Sequence, residues 1–202
     1  MSAKKPERKV TSAADAQNQI LAAVDELFYR EGARAVGVEA VVQRAGVNKM
    51  SLYRQFESKD GLLLHYLARR DETFWGYVEA SIAKHPGQPR QQLLQFMADL
   101  ARRAQREGYR GCPFVNIAVE FPDPEHPARL AVADNKSRLL ARLQTLAEGA
   151  GAVDAPGLAR MLLLLIEGAY TASQTCDSKD RVLTALVPAA EVLIAAACGE
   201  AG

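Results

Sequence analysis

Two short amphipathic segments, about residues 38–45 and 48–56, are separated only by Ala45-Gly46-Val47. Such a junction is typical of a tight turn between two crossing helices, because alanine allows close approach, glycine adopts a positive φ without strain and valine fills the space between them. The residues expected to face the core are Val41, Leu52 and Phe56. The spacing therefore predicts a helix-turn-helix, with a purely structural helical hairpin as the alternative.

Helical periodicity continues over the rest of the chain. Apolar residues recur every three or four positions in segments bounded by glycine, proline or capping residues. The further predicted helices cover about residues 16–31, 59–84, 89–107, 126–149, 156–176 and 179–198. Residues 114–121 alternate with the period of a strand, but a lone strand has no partner, so we predict a short buried helix there. Pro188 predicts a bend or a restart in the last helix.

Composition excludes several classes of protein. The 202 residues are 49% hydrophobic and 24% charged, which is typical of a globular chain. No apolar run approaches the ~20 residues of a membrane span, and the three cysteines lie far apart without a C-x-x-C pair. We therefore expect a cytoplasmic protein with no disulfide framework, no metal, no cofactor and no membrane partner.

Charge is distributed unevenly along the chain. The net charge is only +1, but residues 1–60 carry +2 and the first ten residues alone carry +3. A weakly basic N-terminal region on a neutral body permits DNA binding without requiring it. The chain has no phosphate-loop, zinc-protease, nucleophile-elbow or dinucleotide-binding motif. We therefore expect no enzymatic activity, with a helical enzyme of unrecognised site as a remaining alternative.

The second short segment carries an outward face suited to DNA. Lys49 can donate to guanine edges or phosphates, and Met50 can contact a thymine methyl group. Tyr53 and Arg54 can reach phosphates, which set register rather than sequence preference; Tyr53 has a second interpretation as a packing residue. Lys59 lies in the first turn of the next predicted helix, where the helix dipole adds to the attraction for a phosphate.

These residues resemble a known family. The match covers about residues 14–64 and includes Ile20-x-x-Ala-Val-x-x-Leu-Phe, the junction Ala45-Gly46-Val47, the run Leu52-Tyr53-Arg54-Gln55-Phe56 and the helix start Ser58-Lys59-Asp60. It is similar to the DNA-binding domain of TetR-type (tetracycline-repressor-like) transcriptional regulators. The family usually has Thr or Ser where this chain has Val36 and Gly37, so here only backbone N–H groups are left to bind a phosphate at that point.

The resemblance implies an all-α fold with two domains. An N-terminal three-helix helix-turn-helix domain, residues 13–58, follows a basic flexible arm, residues 1–12, and precedes a larger six-helix ligand-binding and dimerisation domain, residues 59–202. The implied DNA-binding residues are Gly37, Val38, Asn48, Lys49, Met50, Ser51, Tyr53, Arg54, Gln55 and Lys59. The implied function is a repressor that binds a palindromic operator as a homodimer through its last two helices and is released by a small molecule.

The core of the second domain is the expected effector pocket, since such a pocket is mostly apolar with a few polar groups. The residues expected to line it are Trp75, Phe96, Cys112, Phe114, Asn116, Glu120, Tyr170 and Gln174. The aromatic content is only 6%, which favours an apolar or amphipathic effector. A small-molecule-binding protein whose N-terminal domain no longer binds DNA is the second functional hypothesis.

Two residues have alternative interpretations. Cys112 precedes Pro113, which favours the first position of a helix, and a helix N-terminus lowers the pKa of a thiol. Cys112 is thus either a sensor of oxidants or electrophiles, or a small buried residue. His126, between acidic residues and prolines, is either a metal ligand or part of a capped helix start.

Overall fold

The computed structural model describes residues 12–199. The predicted basic arm therefore lies outside the described residues except for Ser12. The described residues form nine α-helices, two short 3-10 turns and no strand, which confirms the all-α class. The helices are α1 Ala13–Glu31, α2 Val38–Ala45, α3 Lys49–Gln55, α4 Lys59–Ile82, α5 Pro89–Ala104, α6 Pro113–Glu120, α7 Pro127–Gly149, α8 Ala155–Thr175 and α9 Leu186–Cys198.

The chain divides into two compact units, the first ending at Tyr66 and the second beginning at Leu67. This division falls inside α4, eight residues after the boundary that the sequence suggests at residue 58. The difference has a packing cause, because Leu62 and Leu63 in the first turns of α4 are buried. The ring of Tyr66 also meets that of Phe28 edge-on, with centroids 5.6 Å apart.

The first unit is built on one face of α1. That helix begins at Ser12, whose hydroxyl oxygen accepts the Asp15 N–H at 3.0 Å, and a side-chain cap of this kind contributes about 1 kcal/mol. Its buried stripe packs against α2 and α3. The apolar residues buried in this unit include Ile20, Val24, Phe28, Val41, Leu52 and Phe56. Full burial of each such large side chain stabilises the fold by about 1.5–3 kcal/mol.

The second unit is a helical bundle. Helix α8 packs against α7 and α9, helix α5 packs against α7, α8 and α9, and the short α6 packs against α7. Its core is aliphatic for the most part. The buried side chains of this core include Leu93, Phe96, Met97, Leu100, Phe114, Leu139, Leu158, Leu162, Ile166 and Ile194.

The predicted last helix, 179–198, is wrong up to residue 185. Residues Ser178–Asp180 and Val182–Ala185 form 3-10 turns, and α9 begins only at Leu186. Pro188 is therefore the third residue of α9, where a backbone nitrogen has no intrahelical acceptor. The chain accommodates this proline by restarting the helix, so no bend is needed.

One segment of the described chain, Ser178–Cys198, is long and apolar enough to cross a membrane by length and composition alone. Its α-helical part has 13 residues, about 20 Å, which is short of the ~30 Å hydrocarbon layer. Much of its apolar surface is exposed in a single chain, as is that of α8. The exposed apolar residues here are Met161, Leu164, Val182 and Val192.

Candidate nucleic-acid interface and effector region

The turn between α2 and α3 has the geometry that the sequence predicts. Gly46 ends α2 in the left-handed region, with φ 68° and ψ 24°. Its N–H donates to the Gln43 carbonyl, and the Val47 N–H donates to the Val42 carbonyl at 3.1 Å, so the last carbonyls of α2 are satisfied. A Cβ on Gly46 would meet no atom within 4 Å. The backbone conformation, and not a lack of space, therefore selects glycine here.

Helix α3 is fixed at its start by a cap and along its inner face by packing. The Asn48 side-chain oxygen accepts the Ser51 N–H at 2.8 Å. Val41, Leu52 and Phe56 are buried, which confirms the predicted inward face. Asn48, predicted to bind DNA, thus uses its oxygen within the fold, while its amide NH2 takes no part in the cap.

The outer face of α3 collects most of the predicted DNA-binding side chains. Met50 is 72% exposed and Tyr53 is 44% exposed, so the interpretation of Tyr53 as a buried packing residue does not hold. Lys49 and Arg54 are exposed, while Ser51 and Gln55 are half-buried. Cationic, aromatic and apolar groups therefore share one accessible surface on a rigid helix.

Lys49 is joined to a residue that the sequence did not single out. Its Nζ lies 2.5 Å from the Oε1 of Glu39, in the first turn of α2. The hydrogen bond from Lys49 lowers the pKa of the Glu39 carboxyl, and the same contact raises the pKa of Lys49. The only signal in the sequence was a pair of opposite charges in two helices whose crossing is set by the turn.

The start of α2 offers backbone groups to an anion. Gly37 is extended and gives α2 no side-chain cap, although the Glu39 carboxylate accepts a hydrogen bond from its own backbone N–H in the first turn. Val38 is half-buried. Lys59, at the start of α4, donates from Nζ to the Arg34 carbonyl at 3.1 Å. That bond fixes its side chain against the α1–α2 loop and leaves two ammonium protons for other acceptors.

In the second unit, Lys136 of α7 brings two of the predicted pocket residues together. Its Nζ lies 2.6 Å from Oε1 of Glu167 and 3.7 Å from Sγ of Cys112. The same ammonium lies 5.2 Å from the ring centroid of Tyr170. Burial raises the pKa of Tyr170 well above its usual value, so its hydroxyl stays protonated.

Cys112 does not have the lowered pKa expected at a helix start. It is the N-cap of α6 with Pro113 next, as predicted, but it is almost fully buried. Desolvation raises the pKa of its thiol and outweighs the opposing charge of Lys136. Burial and the raised pKa favour the interpretation of Cys112 as a small buried residue.

Aromatic predicted residues meet near α6. Phe114 contacts Phe74, with ring centroids 6.3 Å apart, and Phe74 contacts Trp75 at 5.6 Å. The Arg138 guanidinium lies over the Trp75 ring at 5.3 Å. The indole N–H of Trp75 is enclosed and finds no acceptor within the described part of the chain.

The remaining predicted pocket residues are placed differently. The Asn116 amide donates to the Arg110 carbonyl at 2.9 Å, and the Gln174 amide donates to the Tyr109 carbonyl at 3.3 Å. Both therefore hold the loop before α6. Phe96 is buried in α5, and Glu120 is half-buried at the end of α6. His126 caps α7, accepting the Ala128 N–H at 3.2 Å, and residues 12–199 contain no cluster arranged to hold a metal ion.

Two family models match the chain. The model of bacterial regulatory proteins of the tetR family matches residues 20–66. The model of the C-terminal domain of LmrA/YxaF-like transcriptional regulators matches residues 89–186. A TetR-type regulator from Streptomyces avermitilis is 33% identical, with 87% of this chain and 98% of that chain aligned and a TM-score of 0.74. The chain belongs to the TetR family.

Other solved structures agree with this assignment. A TetR-family regulator from Streptomyces coelicolor is 28% identical over 92% of this chain and 97% of its own, with a TM-score of 0.87. The reduced form of NemR from E. coli, 20% identical over 89% and 95% with a TM-score of 0.74, shares the fold. No curated protein sequence matches the chain. As a TetR-family member, the protein is a non-enzymatic, DNA-binding transcriptional regulator.

The TetR-type second unit also holds an open cleft of about 360 Å³ at the end of α5 and α8. Its lining is polar and apolar in similar measure and includes Arg106, Tyr109, Asp177, Arg181 and Leu183, but none of the predicted pocket residues. The residues that the sequence missed in this unit are Lys136 and Glu167. The only sign of them in the sequence was one positive and one negative residue within two helices that were predicted to be buried.

Proposed function

We propose that this regulator is a repressor that binds a palindromic operator as a homodimer and is released by a small molecule. The observation that carries the proposal is the outer face of α3, where Lys49, Met50, Tyr53 and Arg54 are exposed above the buried Leu52. In a helix-turn-helix the second helix enters the major groove, and a twofold dimer places two such helices ~34–36 Å apart. Acting on DNA, the protein works in the cytoplasm.

The residues divide by role in this proposal. Lys49 and Met50 meet base edges, while Ser51, Tyr53, Arg54 and Gln55 contact phosphates. The backbone at Gly37 and Val38, the amide of Asn48 and the ammonium of Lys59 hold the DNA backbone on either side. Phosphate contacts strengthen binding to every sequence, whereas base contacts distinguish sequences.

The dimer is supported by the apolar surface of α8 and α9. Leu164 and Val192 are 72% and 68% exposed in a single chain, and a groove of about 280 Å³ lined by aliphatic residues runs between these helices. Exposed apolar patches of this kind mark association surfaces. A twofold pairing of the last two helices covers the face on both chains at once.

The effector is an apolar or amphipathic small molecule in this proposal. Phe114 and Trp75 lie in one aromatic cluster, and the indole N–H of Trp75 lacks an acceptor within residues 12–199. Helix α4 runs from the first unit into the second, so it is the proposed lever. An effector that binds a non-operator state more tightly shifts the population away from DNA.

The test is enrichment of a random double-stranded DNA pool on the purified protein at moderate salt. We expect a palindromic consensus, and we expect Lys49→Ala to relax sequence preference. Lys59→Ala is the matched control, because it should weaken binding to all sequences and reduce the salt dependence by about one phosphate contact. A folded dimer that enriches no sequence contradicts the proposal and favours a small-molecule-binding protein without DNA binding.

The effector part has its own test. Trp75 is the only tryptophan of the chain, so quenching of its fluorescence reports binding near it. We expect an amphipathic aromatic dye such as anilinonaphthalene sulfonate to quench it and to release operator DNA over the same concentration range. Quenching without release contradicts the coupling of the two events.

A further inference from the structure

Glu39 and Lys49 form an ion pair on the exposed surface of the helix-turn-helix. The Lys49 Nζ and Glu39 Oε1 atoms are 2.5 Å apart, and the two side chains are 54% and 74% exposed. Each residue lies in the first turn of its helix, Glu39 in α2 and Lys49 in α3. We propose that this pair reads one G·C base pair in each operator half-site as a unit. The inference rests on the proposed DNA-binding function.

The position of the pair suits contact with a base edge. Residues at the N-terminal end of a recognition helix are those that meet base edges, and Lys49 is the first residue of α3. Because the Glu39 carboxylate is hydrogen-bonded to Lys49, a groove edge that Lys49 touches lies within reach of Glu39 as well.

The pair presents a donor beside an acceptor, and the G·C edge offers that order the largest number of hydrogen bonds. Guanine exposes two adjacent acceptors, N7 and O6, and its cytosine partner exposes an amino donor next to them. An ammonium group has three donors and no acceptor, whereas an ionised carboxylate only accepts. Lys49 can therefore donate to guanine while Glu39 accepts from the cytosine amino group, with the Lys49–Glu39 bond retained.

Other base pairs fit this order less well. Adenine places its amino donor between two acceptors, and thymine adds a methyl group at the edge. A reversed C·G pair turns the amino donor toward the Lys49 ammonium. The reversed pair leaves a donor facing a donor, which is costly once water is excluded. An A·T pair can still accept from Lys49 at N7 and donate to Glu39 from its amino group, but it gives the ammonium one acceptor at that point where guanine gives two.

Retention of the pair also accounts for an acid at the DNA surface. A lone carboxylate close to phosphates is repelled by them. If Glu39 kept its bond to Lys49 and accepted from cytosine, its charge would be compensated in the complex. A carboxylate that served only to repel DNA would instead lower affinity for all sequences equally.

The experiment compares wild-type protein with E39A, K49A and the double variant E39A/K49A. Glu26→Ala is the matched control. It also removes a surface carboxylate and breaks an ion pair, the one with Arg44 of α2, but this pair involves no residue of α3. Each protein is titrated with the enriched consensus duplex and with duplexes changed symmetrically at one position of each half-site. For each protein the readout is the dissociation constant for a changed duplex divided by that for the consensus duplex. A substitution that only alters the net charge of the protein affects both constants equally, so its effect cancels in the ratio.

We expect wild-type and E26A proteins to bind at least about ten-fold more weakly when one particular G·C pair is replaced. In E39A and in K49A that ratio should fall to within about three-fold at this position alone. The double variant should lose no more discrimination at this position than either single variant, because the two side chains act as one unit.

Three results overturn the inference. E39A that binds all duplexes more tightly with unchanged ratios makes Glu39 a repulsive charge only. Additive losses in the double variant mean that the two residues act independently. Wild-type protein that enriches no consensus overturns the proposed function together with this inference, whereas a consensus whose ratios Glu39 does not affect overturns the inference alone.

Discussion

The Oδ1 atom of Asp71 on α4 lies 2.6 Å from the guanidinium of Arg138 on α7. The same oxygen accepts a hydrogen bond at 2.9 Å from the amide of Asn135, which is fully buried. The hydrogen bond that Arg138 donates to Asp71 raises the pKa of Arg138. One carboxylate thus ties α4 to two residues of α7 within the second unit.

Asp71→Ala should lower the free energy of unfolding by about 1–3 kcal/mol, because it leaves the Asn135 amide buried without a partner. Asp134→Ala is the matched control, since Asp134 also pairs with Arg138 but is 66% exposed, and such pairs contribute at most about 1 kcal/mol. Urea titrations of both variants measure the difference. Equal losses would contradict the role of Asn135.

The Asp99 carboxylate on α5 accepts from Ser81 at 2.8 Å, from Lys84 at 2.7 Å and from Gln95 at 3.0 Å. Burial acts to raise the pKa of Asp99, but these hydrogen bonds outweigh it and leave that pKa below its usual value. A lowered pKa in the folded state gives stability that is complete above the unfolded value of about 3.9 and is lost as the pH falls through the folded value.

Asp99→Asn should therefore be less stable than wild type at pH 5–7, and the difference should shrink below about pH 4. Thermal unfolding from pH 7 to pH 3 measures it. Glu107→Gln, exposed in the turn that follows α5, removes a carboxylate outside this network and should give curves parallel to wild type. A difference that grows below pH 4 would contradict the assigned direction.

Cys112 should resist alkylation while Cys176 reacts. Burial raises the pKa of the Cys112 thiol, whereas Cys176 is exposed, and the thiolate is the reactive form. Iodoacetamide at pH 8 followed by peptide mass spectrometry measures both rates. In urea the two cysteines should react at similar rates. Comparable rates in the folded protein would contradict the burial of Cys112.

Much of the first unit could be predicted because local rules and packing agree there. The positive φ of Gly46 follows from the residues at the turn, and the inward positions Leu52 and Phe56 follow from their four-residue spacing. The pair Glu39–Lys49 could not be predicted, because it depends on the angle at which α2 crosses α3. Spacing within one helix carries no information on that angle.

In the second unit, sequence signals were correct locally and incomplete globally. Cys112 does occupy the N-cap position of α6, but its pKa depends on how deeply the bundle buries it, and desolvation outweighs the helix end. The apolar run before Pro188 satisfied helical periodicity, yet residues 182–185 form a 3-10 turn. Periodicity does not distinguish these two helical forms over one turn.

Gly37→Thr should stabilise the first unit by a few tenths of a kcal/mol and strengthen binding to all DNA sequences. Gly37 is an N-cap without a side-chain bond, and threonine supplies the missing oxygen. Space is available, because a Cβ there meets only Glu39 Oε2 at 3.8 Å. Gly46→Thr is the control of opposite sign, since its φ of 68° costs a branched residue about 1–2 kcal/mol. Thermal unfolding and DNA titration measure both.

Leu164→Glu and Val192→Glu should each convert the protein to monomers. Both residues are largely exposed on α8 and α9 in a single chain, and a charge buried in a twofold interface is repeated on the partner at close range. Val119→Glu is the matched control, because Val119 is 79% exposed on α6. Light scattering should give about twice the 21.9 kDa chain mass for wild type and V119E, and the chain mass for the other two.

The monomers should also bind operator DNA far more weakly, while keeping the helical content of the wild type. In a dimer, binding of one recognition helix holds the second at a high effective concentration near its half-site, and a monomer lacks this advantage. Monomeric wild-type protein would contradict the proposed dimer, whereas dimers of both the α8 and the α9 variant would assign the contact to another surface.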